Sequence, residues 1–202
     1  YKRQHLNRTV DYNLLSEEVS SGFCIIEDKN DHVWYGGPSG LFLIDKKKAN
    51  ARPEKISPLR IFNLVQFNDS ILWAGTRKGS MFQINTRTLK VTSLPILPHT
   101  DLYVTYIYPD SHQRIWIGTD NNGLYVSDRN GSIIASYSKE QLGSNAIKGI
   151  IEDEMNNIWV GTGSGLCCIN PQMENIDRYT TADGLPINQF NYSSACKKPD
   201  GE

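Results

Sequence analysis

An all-β fold, a β-propeller of tandem four-stranded antiparallel blades, is predicted by three features of this sequence. All four tryptophans, Trp34, Trp73, Trp116 and Trp159, stand in the same W-x-G context at spacings of 39, 43 and 43 residues. Around each lies the same order of apolar run, polar turn, tryptophan strand, glycine-rich turn and second apolar run. Self-similarity at such a period, with four short strands per unit, is the mark of propeller blades. No stretch holds a convincing helical period; the best candidate, residues 14–19, is short and falls between blades.

The first repeat runs Ile25-Ile26-Glu27-Asp28, Val33-Trp34-Tyr35-Gly36, Gly40-Leu41. The second runs Leu64-Val65-Gln66-Phe67, Leu72-Trp73-Ala74-Gly75-Thr76, Gly79-Ser80-Met81. The third has Tyr106-Ile107-Tyr108, Ile115-Trp116-Ile117-Gly118-Thr119, Gly123-Leu124; the fourth has Ile150-Ile151-Glu152-Asp153, Ile158-Trp159-Val160-Gly161-Thr162, Gly165-Leu166. Asn, Asp and Ser supply the turn after each first strand. A fourth, more polar segment closes each repeat, as an outer edge strand should. The tryptophans are expected to fill the gap between successive blades. Gly36, Gly75, Gly118 and Gly161 are expected where the backbone turns or another segment approaches closely.

The expected blades are 20–57, 60–95, 102–138 and 146–181. Residues 5–13 read as the outer strand of a preceding blade and 188–202 as the first strand of a following one. Four whole blades flanked by two partial ones suggest an arc of a larger ring, of about seven blades within the range of roughly 4–8 that propellers show.

Composition bounds the function without naming it. Hydrophobic residues are 39% and charged residues 21% of 202, with a net charge of −1. These are ordinary globular values, and they offer no basic field for nucleic acid or an anionic membrane. No apolar run approaches the roughly 20 residues that span a bilayer, and the start, Tyr1-Lys2-Arg3-Gln4-His5, lacks the apolar core of a signal peptide. Cys24, Cys167, Cys168 and Cys196 form no C-x-x-C pair. Cys167 and Cys168, neighbours on a strand, point to opposite faces and read as small apolar residues.

No catalytic, metal or cofactor motif stands out. His32 and His112 fall in equivalent turns, where a solvated histidine is the expectation. The recurring Glu-Asp pairs read as turn structure, since an active site seldom needs one pair in several blades. The hydroxyls of Thr76, Thr119 and Thr162 are expected to bond within the following turn.

Binding should instead lie where repeats differ: the turns between second and third strands and the connections between blades. Arg77, Asp120, Asn121, Asn122 and Asn145 supply planar polar groups for sugar hydroxyls, and Tyr35 or Tyr103 an aromatic face. Three readings follow: a sensor for a small molecule, a protein-interaction scaffold, or a propeller lyase or glycoside hydrolase. The last needs a cluster of acid, base and metal ligands that the sequence does not show.

The pattern I-x-E-D-x-x-x-x-x-W-x-G-T-x-x-G-L, nearly complete from Ile150 to Leu166, resembles the two-component-regulator propeller repeat. The segment Asp183-Gly184-Leu185-Pro186-Ile187-Asn188-Gln189-Phe190 resembles the family's D-G-L-P-x-N-x-F, which precedes a final blade. The first repeat departs with Gly37 in place of Thr; the second lacks the acidic pair and has a turn two residues shorter. The resemblance, over about residues 10 to 202, implies a non-enzymatic, periplasmic sensor region of a hybrid two-component histidine kinase. It implies a carbohydrate or related small-molecule ligand, a downstream β-sandwich domain, a homodimeric parent protein and control of genes for using that nutrient.

Overall fold

Apolar runs of four to eight residues alternate with turns built on Asp, Asn and Gly, and each run forms a strand. The computed structural model describes residues 23–49, 51–76, 80–94, 102–192 and 195. The first sheet contains β1 (Cys24–Glu27), β2 (His32–Gly37), β3 (Gly40–Asp45) and β4 (Glu54–Ser57). The second contains β5 (Ile61–Asn68), β6 (Ile71–Thr76), β7 (Met81–Asn85) and β8 (Val91–Leu94). The third contains β9 (Val104–Pro109), β10 (Ile115–Thr119), β11 (Leu124–Ser127) and β12 (Ile133–Tyr137). The fourth contains β13 (Ile147–Glu152), β14 (Ile158–Thr162), β15 (Gly165–Ile169) and β16 (Ile176–Tyr179).

Each sheet is an antiparallel meander in sequence order. The first strands of successive sheets touch one another, β1 with β5, β5 with β9 and β9 with β13, so the sheets fan out from a shared inner edge. The last strands lie at the outside, and β8 and β16 bury no residue fully. The architecture is the predicted β-propeller.

The core lies between sheets. Trp34 packs with Leu72, Ala74 and Ile84 of the second sheet. Trp73 packs with Ile107, Ile115 and Ile117 of the third, and Trp116 with Ile150, Ile158 and Val160 of the fourth. All three indoles are 0% exposed. Trp159 is half-buried and stacks on Tyr179, 5.6 Å between ring centroids.

Close approach, the second of the two roles expected for the repeated glycines, is the one observed. A Cβ on Gly36 would stand 2.8 Å from Ile61, one on Gly75 2.7 Å from Val104, and one on Gly118 2.6 Å from Ile147. These are the first residues of β5, β9 and β13, so each blade's glycine receives the opening side chain of the next. At Gly161 the place is taken by Phe190, 3.4 Å away and 43 residues after Ile147. The Phe190 amide donates to Thr162 O at 3.5 Å. Residues 188–192 carry no strand assignment, while residues 5–13, 14–19 and most of the segment after Phe190 lie outside the described residues.

The acidic turn residue ties each tryptophan down. The indole Nε1 donates to Asp28 at 2.9 Å in the first blade, and to Asp110 and Asp153 at 2.8 Å in the third and fourth. The second blade has Phe67 at this place, its ring 6.2 Å from that of Trp73, and the Trp73 Nε1 is buried with no partner among the described residues. Its turn is shorter because β5 runs two residues further into the hairpin, to Asn68, which pairs with Ile71 across a register slip at Phe67. Glu152 reaches the other way, accepting from Ser111 N at 2.9 Å and Ser111 Oγ at 2.6 Å in the third blade's turn. The Thr76, Thr119 and Thr162 hydroxyls donate to Ser80 O, Gly123 O and Gly165 O at 3.0, 2.8 and 2.9 Å, the turn role read from their repetition.

One short helix, α1 (Lys139–Leu142), was not foreseen. A single turn is too short to show a period, but its ends are legible. The Ser138 amide donates to Gln141 Oε1 at 3.0 Å, and Gly143 closes the helix at φ +80°. Cys167 Sγ lies 3.4 Å from Leu142 O beneath it. Burial pushes the Cys167 thiol up to about 11 and that of Cys24 to about 12, which suits packing residues.

The turn aspartates predict an acid sensitivity. Burial opposes the charge on Asp28, but hydrogen bonds from Trp34 and from the amides of Asn30 and His32 outweigh it, so its carboxyl titrates below the ordinary value. At Asp153 burial is likewise outweighed, by bonds from Asn157 and Trp159. A depressed folded pKa gives stability that is fully present above the unfolded value of about 3.9 and is lost as pH falls through the folded one. The urea midpoint should therefore hold from pH 7 to 5 and fall below about pH 4. Asp28→Asn should flatten that fall.

Candidate ligand-binding site in the axial cavity

The inner edges of the first three sheets border a half-open cavity of about 850 Å³. Volumes of about 300–1,000 Å³ are usual for small-molecule sites. Its wall mixes the aromatic rings of Phe23, Phe62, Tyr103 and Tyr106 with the polar groups of Asn63 and Thr105, and Asp120 and Tyr192 also border it.

A recurring irregularity aims residues there. Near the start of β5, β9 and β13 the pairing register slips by one residue, as in a β-bulge. The extra residue is Phe62, Thr105 or Lys148, each just before the partner of the repeated glycine and 43 residues from the last. Phe23 holds the same place before Cys24, its amide donating to Gly36 O at 3.0 Å. Bulges re-aim side chains out of the sheet alternation. Three of the four residues in this series, Phe23, Phe62 and Thr105, line the cavity. Phe23 and Phe62 stack, 4.6 Å between centroids at 12°; Thr105 Oγ1 donates to Ile147 O at 2.8 Å.

Lys148, the fourth, joins a polar cluster. Its Nζ lies 3.2 Å from Asp120 Oδ1 and 3.6 Å from the centre of the Tyr192 ring. The Tyr192 hydroxyl donates to the same Asp120 oxygen. The Asp120 amide donates to Tyr103 O at 3.0 Å, fixing the β10–β11 turn against the preceding connection. Burial disfavours the Asp120 charge, but Tyr192 and Lys148 outweigh it and hold the carboxyl below its usual range. Burial opposes the Lys148 charge as well, and the same two partners raise its pKa. At neutral pH the pair is ionised and has no net charge.

Of the residues expected to bind, Asp120 borders the cavity. Asn121 is exposed in the same turn, and the Asn122 amide donates to Thr119 Oγ1 at 3.0 Å. Asn145 O accepts from Gly123 N at 2.9 Å, while its side-chain Oδ1 is buried with no partner among the described residues. Tyr35 stands apart: strand alternation turns it away from the Trp34 face, and its ring lies 6.3 Å from Phe42. Arg77 lies outside the described residues. The sequence reading missed Phe23, Phe62, Thr105, Lys148 and Tyr192; Phe62, Thr105 and Lys148 hold equivalent repeat positions 43 residues apart but share no residue type that marks them. Among the described residues no group of three His, Cys, Asp or Glu side chains could hold a metal ion, and no helix is long and apolar enough to cross a membrane.

Residues 99–121 and 141–164, each ending just past a W-x-G-T strand, match the family described as two component regulator propeller. Among curated proteins, Histidine kinase P4 of Formosa agariphila is 24% identical over 254 residues, covering 95% of the chain and 18% of the relative. Two solved structures from B. thetaiotaomicron share the fold. The extracellular domain assigned to a one component system superposes with a TM-score of 0.75 at 22% identity, covering 93% of this chain and 29% of that one. The extracellular domain assigned to a hybrid two component system gives 0.69 at 24% identity, covering 83% and 23%. The chain thus spans less than a third of the length of each.

Proposed function

We propose that this chain is an arc of the periplasmic, ligand-sensing propeller of a hybrid two-component sensor histidine kinase. It would recognise an oligosaccharide or related nutrient and control the genes for its use. The axial cavity carries the reading: a repeat of the regulator-propeller type lines a half-open space of small-molecule size, walled by aromatic rings and bordered by an ion pair. The region itself is not catalytic, and kinase activity belongs to other parts of the parent protein. The ring is completed to about seven blades by further sequence, with a β-sandwich domain after it and a second copy in a homodimer. A ligand signals by binding one arrangement of these parts better than another.

Thermal shift of the full chain against plant and host oligosaccharides tests this. A bound sugar at about a hundredfold excess over its Kd adds about 2.7 kcal/mol, several degrees in Tm for a chain of this size. No shift with any sugar in a broad panel would contradict the sensor reading.

A further inference from the structure

The residue just before the repeated glycine's strand partner differs from blade to blade while the surrounding repeat does not. In order it is Phe23, where the register does not slip, and then the bulge residues Phe62, Thr105 and Lys148. A conserved geometry that delivers a variable side chain to a cavity is what a set of specificity positions requires. Here the set is divided. The first two blades give a stacked aromatic pair, with Phe23 48% exposed. The third and fourth give a hydroxyl and an ammonium, the latter held by Asp120 and Tyr192.

Charge narrows the ligand. The described partners of Asp120, Tyr192 and Lys148, both meet Oδ1, which leaves Oδ2 open among the described residues, and the Asp120 side chain is 42% exposed. An ionised carboxylate only accepts hydrogen bonds, so it calls for a donor. A ligand anion would meet the Asp120 charge, and a ligand cation would compete with Lys148 for a carboxylate already neutralised. An uncharged hydroxyl meets neither penalty. A ring with an apolar C–H face fits the Phe23–Phe62 side, where stacking on an aromatic face is favourable.

Resting on the sensor reading, we infer that these four positions are the specificity positions of the axial cavity, Phe23, Phe62 and Thr105 by lining it and Lys148 through its ion pair with Asp120. In this chain they select an uncharged saccharide, one ring face on the Phe23–Phe62 pair and its hydroxyls on Asp120.

Calorimetry of the full chain with neutral disaccharides (cellobiose, xylobiose, mannobiose, maltose) and anionic ones (digalacturonate, an unsaturated chondroitin disaccharide) tests the inference. At least one neutral sugar binds and the anionic ones do not. Asp120→Asn weakens that sugar about tenfold or more, the loss expected for a hydrogen bond to a charged group, and admits digalacturonate by leaving Lys148 unopposed. Phe62→Ala weakens it without admitting the anion. Circular dichroism and Tm without sugar verify that both variants fold; if either does not, Asp120→Glu and Phe62→Leu replace them. Binding of an anionic sugar alone, or neutral binding indifferent to both substitutions, would overturn the inference and leave the sensor reading intact. Silence from every sugar would overturn both.

Discussion

Replacing Trp116 by Ala is expected to lower the stability of the chain by about 3–5 kcal/mol, the range for truncating a large buried aromatic residue. The indole is 0% exposed, stacks on Tyr137 at 6.2 Å and packs against Ile150, Ile158 and Val160 of the next sheet. Its loss opens a void between two blades and takes a donor from Asp110, which retains bonds from His112 N at 2.9 Å and Arg114 N at 2.8 Å. Trp116→Phe keeps most of the volume and should still cost about 1.5–3 kcal/mol through the lost bond to a charged acceptor. Trp73→Phe has no such bond to lose, because the Trp73 Nε1 has no partner among the described residues. Urea titration of the three variants should therefore rank Trp116→Ala as most damaging and Trp73→Phe as least. Equal costs for the two phenylalanine variants would contradict the assigned role of the turn aspartate.

Gly75→Ala tests the other half of each blade contact. The new methyl would stand 2.7 Å from Val104 Cγ1 and 3.1 Å from its Cβ. Val104 is 2% exposed and β-branched, so it has little rotamer freedom with which to move aside. Overpacking of this kind costs about 1–3 kcal/mol. Gly75 also faces Ile107 Cδ1 at 3.2 Å, the end of a more flexible side chain. Gly161→Ala should cost less in this chain, since Phe190 lies 3.4 Å away, at ordinary contact distance.

The fold could be read from the sequence because its cause is periodic. A tryptophan two residues before a glycine recurs with the blade, and both residues act at the same joint: the indole fills the space between sheets, and the glycine admits the first residue of the next. The acidic turn residue was legible for the same reason, down to its absence in the second blade, where Phe67 leaves Trp73 without an acceptor among the described residues. Helix α1 was not, since four residues make no period and its signals are confined to Ser138, Gln141 and Gly143.

The candidate site was half legible. Asp120 was expected because it sits in a variable turn on the face where turns and connections meet. Its partners were not, because Lys148 lies inside an apolar first strand and reads there as an exception to the pattern. A one-residue register slip leaves no mark on composition, so nothing in the local sequence shows that Phe62, Thr105 and Lys148 leave the strand alternation. Tyr192 lies 72 positions from Asp120, and only the closing of the blades about an axis brings them together.

That closing is measured most directly by a double-mutant cycle on Gly75 and Val104, one residue from each of two blades and 29 positions apart in sequence. If the blades meet at this joint, Val104→Ala should relieve the clash of Gly75→Ala, and the pair should be coupled by about 1 kcal/mol or more. Additive costs, within about 0.3–0.5 kcal/mol, would mean that the two residues do not touch and that the sheets are not wedged together as described.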